Sequence, residues 1–129
     1  MSAVDGVTWS AFLLQHGKNY TSFDYDIRVG SGVIAELPLP DKYLKDYQQL
    51  TQKRIDAIGY QTAGINIFEV KQRAGLSALG QLSAYSMLYL RSHPRALILS
   101  LNLVCSFITK EELEIYQAKA IRVFVYPEQ

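Results

Sequence analysis

Residues 54–71, RIDAIGYQTAGINIFEVK, decide how this chain folds, because they read as two strands joined by the short polar segment QTAG that a hairpin uses. Side chains alternate along a strand, so Ile65, Ile67, Glu69 and Lys71 share one face while Asn66, Phe68 and Val70 take the other. On the preceding run Arg54, Asp56, Ile58 and Tyr60 share a face. A loop centred between Thr62 and Ala63 sets Asp56 opposite Glu69. Like charges directly opposite one another cost up to about 1 kcal/mol, and more where water is excluded. Something must offset that repulsion.

A divalent cation is the obvious candidate, since Mg²⁺ takes carboxylate oxygens and is usually held by one or two protein carboxylates together with waters and substrate phosphates. Lys71, one step further along the same face, would hold an attacking water or hydroxide and neutralise charge growing on a phosphate. Two blander readings stand beside this one. The face could be exposed and carry a plain salt-bridge set among Asp56, Glu69 and Lys71. Alternatively, a register shifted by one residue would turn Asp56 away from Glu69 and leave an α/β domain with no phosphate chemistry.

Working outward, a glycine-containing bend leads to a helix predicted from about residue 76 to residue 91, ended by Ser92, His93 and Pro94. RALILSLNLVCSF is a continuous apolar run that reads as a central strand covered on both faces. TKEELEIYQAKA is helical, with Thr109 as cap and Glu112 as its capping-box partner, and IRVFVY reads as the last strand. Upstream, VTWSAFLLQH at 7–16 predicts a helix closed by Gly17. YTSFDYDIRV at 20–29 predicts a strand with Phe23, Tyr25, Ile27 and Val29 on one face. GSG at 30–32 marks a turn, and LPLPD leads into a helix capped by Asp41 and running to about Thr51. Helices interleaved with strands and one hairpin predict an α/β three-layer sandwich around a central mixed sheet, as a single domain over residues 1–129.

Composition narrows the function classes. Thirteen Lys and Arg against twelve Asp and Glu give a net charge of +1, so a polyanion would have to be met by a local patch; Lys53, Arg54 and Arg73 cluster in sequence around the hairpin. The single Cys105 sits in an apolar run and has no partner for a disulfide. The most apolar stretch, residues 96–108, is far short of the roughly 20 residues a membrane span needs, so the expected location is cytoplasmic, with no membrane partner. His16 and His93 show no ligand spacing, no P-loop or nucleophile elbow occurs, and the nine tyrosines are scattered.

RIDAIGYQTAGINIFEVKQRAGLSALGQLSAY resembles the core motif of the PD-(D/E)XK phosphodiesterase superfamily, with Asp56 on one hairpin strand, Glu69-Val70-Lys71 on the next and Gln81 in the following helix. The resemblance implies a restriction-endonuclease-like core and a Mg²⁺-dependent nuclease, with Mn²⁺ as a substitute ion and DNA as the substrate. It implies metal-binding roles for Asp56 and Glu69, a catalytic role for Lys71 and a supporting one for Gln81. Arg73, Lys53 and Arg54 are expected to grip phosphates, and Tyr85, one turn beyond Gln81, to stack on a base or pack the sheet. Ile55 stands where the family's Pro falls, and VTWSAFLLQHG lacks the Glu many members carry on the first helix; Asp26 and Glu36 are the candidates for a further carboxylate. YDIRVGSG and EVKQRAGLSALGQLSAY are also similar to small tailed-bacteriophage proteins, among which head-completion nucleases occur. That similarity implies host cytoplasm or virion as the location and other copies or viral structural proteins as partners. The alternative function is a catalytically inactive nuclease-fold module that binds DNA or serves a viral assembly.

Overall fold

The computed structural model describes residues 1–30 and 53–128. In chain order these form α1 (Ala3–His16), a 3-10 turn (Gly17–Asn19), β1 (Ser22–Val29), β2 (Lys53–Gln61), β3 (Gly64–Arg73), α2 (Ser77–Ser92), β4 (Ile98–Phe107), α3 (Lys110–Ala118) and β5 (Arg122–Val125). The strands make one sheet in the order β1-β2-β3-β4-β5. The β1/β2 and β2/β3 pairs are antiparallel, whereas β3/β4 and β4/β5 are parallel. Parallel neighbours need a crossover, and α2 and α3 supply the two of them. The result is the mixed-sheet α/β fold expected from the sequence.

The hairpin pairs Gln61 with Gly64, Tyr60 with Ile65, Gly59 with Asn66, Ile58 with Ile67 and Ala57 with Phe68, the register set by a loop centred between Thr62 and Ala63. Gly64 lets the entry to β4 come close: a Cβ there would lie 2.3 Å from the Leu97 carbonyl. That same carbonyl accepts the Ile65 N–H at 2.9 Å, so the hairpin turn and the parallel half of the sheet are fastened at one point.

The alternation along β3 divides the core in two. On one side α1 lays Trp9 and Phe12 onto Ala57, Phe68, Val70 and Val104. Ring centroids sit 5.0 Å apart for Trp9–Phe12, 5.1 Å for Phe12–Phe68 and 5.0 Å for Phe12–Phe124, in the offset and edge-on geometries aromatic rings prefer. On the other side α2 and α3 bury Ala78, Leu82, Tyr89 and Tyr116 against Ile58, Ile65, Ile67, Leu103 and Cys105. Burial raises the Cys105 thiol to about 11, which fits a small apolar packing group better than a nucleophile.

Four local features differ from the sequence expectation. The first helix begins at Ala3 and not at residue 7, because the Ser2 hydroxyl accepts the Asp5 N–H at 3.1 Å and Asp5 lies at the positive end of the helix dipole. Gly17 does not end the helix in a left-handed cap; at φ −55° it carries the chain into the 3-10 turn. Strand β1 does not keep one apolar face: Phe23 and Tyr25 pack with α1, whereas Ile27 and Val29 join the aliphatic side. The switch falls at Asp26, whose φ of 52° lies in the left-handed region that Asp tolerates better than most residues. At α3 Thr109 accepts the Glu112 N–H at 3.2 Å as expected, but its hydroxyl also donates to the Glu112 carboxylate at 2.7 Å. The helix expected over 41–51, the rest of the GSG turn and Glu36 lie outside the described residues.

Candidate active site

Beyond the Ala57–Phe68 pair the β2/β3 ladder opens, and a side chain takes over from the backbone. The Val70 N–H donates to the Asp56 carboxylate at 2.8 Å, so Asp56 both caps the opening and is held in place by it. Glu69, on the adjoining position of β3, is 2% exposed, and its Oε1 is buried with no hydrogen-bond partner. Burial raises the Glu69 carboxyl from its ordinary 4.5 to about 8, with the Asp56 charge adding to the effect and the Lys71 charge opposing it. Without a cation Glu69 therefore favours its protonated form near neutral pH.

The plain salt-bridge set is not what forms here. Glu69 is buried, and among the described residues the one ion pair within 4.0 Å joins the Met1 ammonium to Asp26, 2.9 Å apart. Lys71 is half-buried on the same face as Glu69. Gln81 lies in α2, half-buried, with its Oε1 also buried and unpartnered. Tyr85 is half-buried and packs against the aliphatic core.

Because β2 runs opposite to β3, the start of β2 and the end of β3 share one end of the sheet. Lys53 and Arg54 are exposed there, paired across β1 with Val29 and Arg28, and Arg73 is exposed at the last ladder position of β3. Arg28, Lys53, Arg54 and Arg73 thus rim the end at which the two carboxyls meet, a positive border that the near-neutral total charge conceals. Asp26 falls opposite Asp56 in the gap between the Tyr25–Ala57 and Ile27–Ile55 pairs.

Two features escaped the sequence reading. Asp5, in the first turn of α1, accepts the Gln72 N–H at 3.2 Å and so brings a helix-one carboxylate to the strand just past Lys71. Its signal was present, since Ser2-Ala3-Val4-Asp5 has the S-x-x-D form of a helix start. The second is a polar chain across β3, β4 and β5 that runs from the buried Asn66 and Asn102 to the exposed Arg122. Ser100 donates to Asn66 at 2.6 Å, Asn102 to the Ile67 carbonyl at 3.1 Å, and Arg122 to both Asn102 and Ser100 at 2.8 Å. These partners are scattered through the sequence, so no local pattern announces them.

Among the described residues no group of three or more His, Cys, Asp and Glu side chains is arranged to hold an ion. The pair Asp56 and Glu69, with one buried oxygen lacking a partner, fits a hard cation that keeps waters and takes its remaining oxygens from a phosphate. No helix of the described residues is long and apolar enough to cross a membrane.

Comparison with known proteins bears on the fold alone. The fold is similar to that of a solved structure, EndoMS in complex with double-stranded DNA, with a TM-score of 0.52 and 13% sequence identity. The match takes in 100% of this chain and 48% of that one, so the chain spans about half the length of its structural neighbour. No protein-family model and no curated protein sequence matches the chain.

Proposed function

We propose that the chain is a metal-dependent nuclease of the PD-(D/E)XK type that hydrolyses phosphodiester bonds in DNA. The observation that carries this reading is the buried, unpartnered Glu69 oxygen beside Asp56, at a sheet end bordered by cations. Asp56 and Glu69 would hold Mg²⁺, or Mn²⁺ in its place, which supplies Lewis-acid polarisation of a phosphoryl oxygen when bound. Lys71, on the Glu69 face, orients the attacking water and neutralises charge that builds on the phosphate. Gln81 offers a buried amide as a further orienting group, while Lys53, Arg54 and Arg73 take the flanking phosphates. DNA is favoured as the substrate because the structural neighbour is bound to it.

A catalytically inactive DNA-binding module is the competing reading, and the energetics of Glu69 speak against it. A buried carboxyl that keeps its charge only at a cost is a feature to lose when no cation is to be bound. The deciding experiment incubates plasmid and single-stranded DNA with the protein in Mg²⁺ or Mn²⁺, beside a Lys71→Ala variant and an EDTA control. Cleavage should fall by a factor on the order of 10²–10³ in the variant, the usual consequence of removing one transition-state donor, and vanish in EDTA. Binding without cleavage in every arm would refute the enzyme.

A further inference from the structure

The carboxyl ends of β3 and β4 hold a second feature, which shares only Arg73 with the proposed hydrolysis. Arg73 and Phe107 are partners at the last position of the parallel ladder, and the Arg73 guanidinium carbon lies 4.5 Å from the centre of the Phe107 ring. Phe107 is 46% exposed, so this stack of a cation on an aromatic ring faces water. Beside it opens a cavity of about 270 Å³ lined by Gln72, Arg73, Ser106, Phe107, Pro127 and Glu128. That volume lies just under the roughly 300–1,000 Å³ that drug-sized ligands fill, which leaves room for one planar ring system.

The walls set a few polar groups among apolar surface. The Gln72 amide donates to the Glu128 carboxylate, and the Ser106 hydroxyl shares a hydrogen bond with Thr8 at 2.9 Å. An amide, a carboxylate and a hydroxyl around a flat platform are the groups that read the edge of a nucleobase, whose donors and acceptors lie in one plane. Arg73 also lies two residues past Lys71 on the same strand and face, about 6.6 Å along it. A base seated here would therefore be joined to a phosphate next to the one Lys71 serves.

We propose that this cavity receives one unpaired nucleobase, which extends the Phe107–Arg73 stack and turns its polar edge toward Gln72 and Glu128. This rests on the nuclease reading and names its substrate class: a strand with at least one nucleotide outside a duplex, because a paired and stacked base has no free face to offer.

The test compares the affinity of the full chain, in EDTA so that nothing is cut, for a fluorescent single-stranded 12-mer and for a blunt duplex of the same sequence. Phe107→Ala should weaken single-strand binding about 5- to 150-fold, the range one stacked base is worth, and duplex binding less than about twofold. Phe107→Trp should restore single-strand binding. Free dTMP should compete only weakly, since it lacks the flanking phosphates; full competition at equal concentration would overturn the assignment to a strand. Equal losses on both DNAs, no loss on either, or no single-strand binding by the wild-type chain would overturn the pocket. Plasmid cleavage by the wild-type protein in Mg²⁺ reports on the nuclease reading separately, and its presence alongside an indifferent Phe107→Ala would remove the pocket alone.

Discussion

Replacing Glu69 by Gln should change how stability depends on pH more than it changes stability itself. In the folded chain the Glu69 carboxyl is raised to about 8 by burial and by Asp56, whereas in the unfolded chain it returns to its ordinary 4.5. The folded state therefore binds this proton more tightly, and the stabilisation is complete below about pH 4.5 and lost as pH rises toward 8. One pKa unit is worth about 1.36 kcal/mol, so the whole window carries at most roughly 5 kcal/mol. Gln cannot titrate, and its neutral amide removes the buried charge. Urea unfolding followed by far-UV circular dichroism, in EDTA between pH 4.5 and 9, should show wild-type stability falling relative to Glu69→Gln across that window. Groups distant from residue 69 contribute equally to both proteins and drop out of the difference. Divalent cation should then stabilise the wild-type chain more at pH 8.5 than at pH 5, because at the lower pH it must displace the proton. A flat difference between the two proteins would refute the claim that Glu69 is buried in a protonated, cation-ready state.

Asp56 combines a charge with a backbone acceptor, so its two substitutions should diverge. Asp56→Asn keeps an oxygen for the Val70 N–H and should cost well under 1 kcal/mol in urea unfolding, whereas Asp56→Ala orphans that donor and should cost about 1–3 kcal/mol; both should abolish cleavage. Phe12→Ala empties the centre of the aromatic side of the core, where Trp9, Phe68 and Phe124 all meet it, and should cost about 3–5 kcal/mol by the same measurement.

How far the sequence reveals this molecule depends on the range of the interaction involved. The hairpin was legible because strand alternation and a short QTAG loop act within twenty residues, and together they fix which side chains share a face. The crossover helices were legible from their apolar spacing and from the Thr109 cap. What escaped needed neighbours distant in the chain. The left-handed Asp26 carries no periodic signal, yet it sends Phe23 and Ile27 to opposite sides of the sheet. No local pattern singles out Asn66 and Asn102, and only the assembled sheet shows Ser100 and Arg122 satisfying them. The acids at 56 and 69 were legible as neighbours, but the depth of Glu69 was not, since burial depends on groups brought in from elsewhere in the chain, Tyr116 of α3 being near enough to feel its charge.

The position of the candidate site follows from a change in pairing within one sheet. Strand β3 bonds to an antiparallel neighbour on one edge and a parallel one on the other, and the two ladders end at different points: the antiparallel one at Phe68, the parallel one at Arg73. Over the last residues of β3 one edge is therefore still fixed by β4 while the other is free of β2's backbone. A rigid strand with one open edge can present Glu69, Lys71 and Arg73 in a row of rising exposure, with the Asp56 side chain standing in for the missing ladder bond. Had β2 stayed paired to the end, Val70 would have bonded to backbone and Asp56 would have had no reason to turn toward Glu69. The opening of the ladder is thus the structural event that brings the two carboxyls together, and it sits within the border formed by Arg28, Lys53, Arg54 and Arg73.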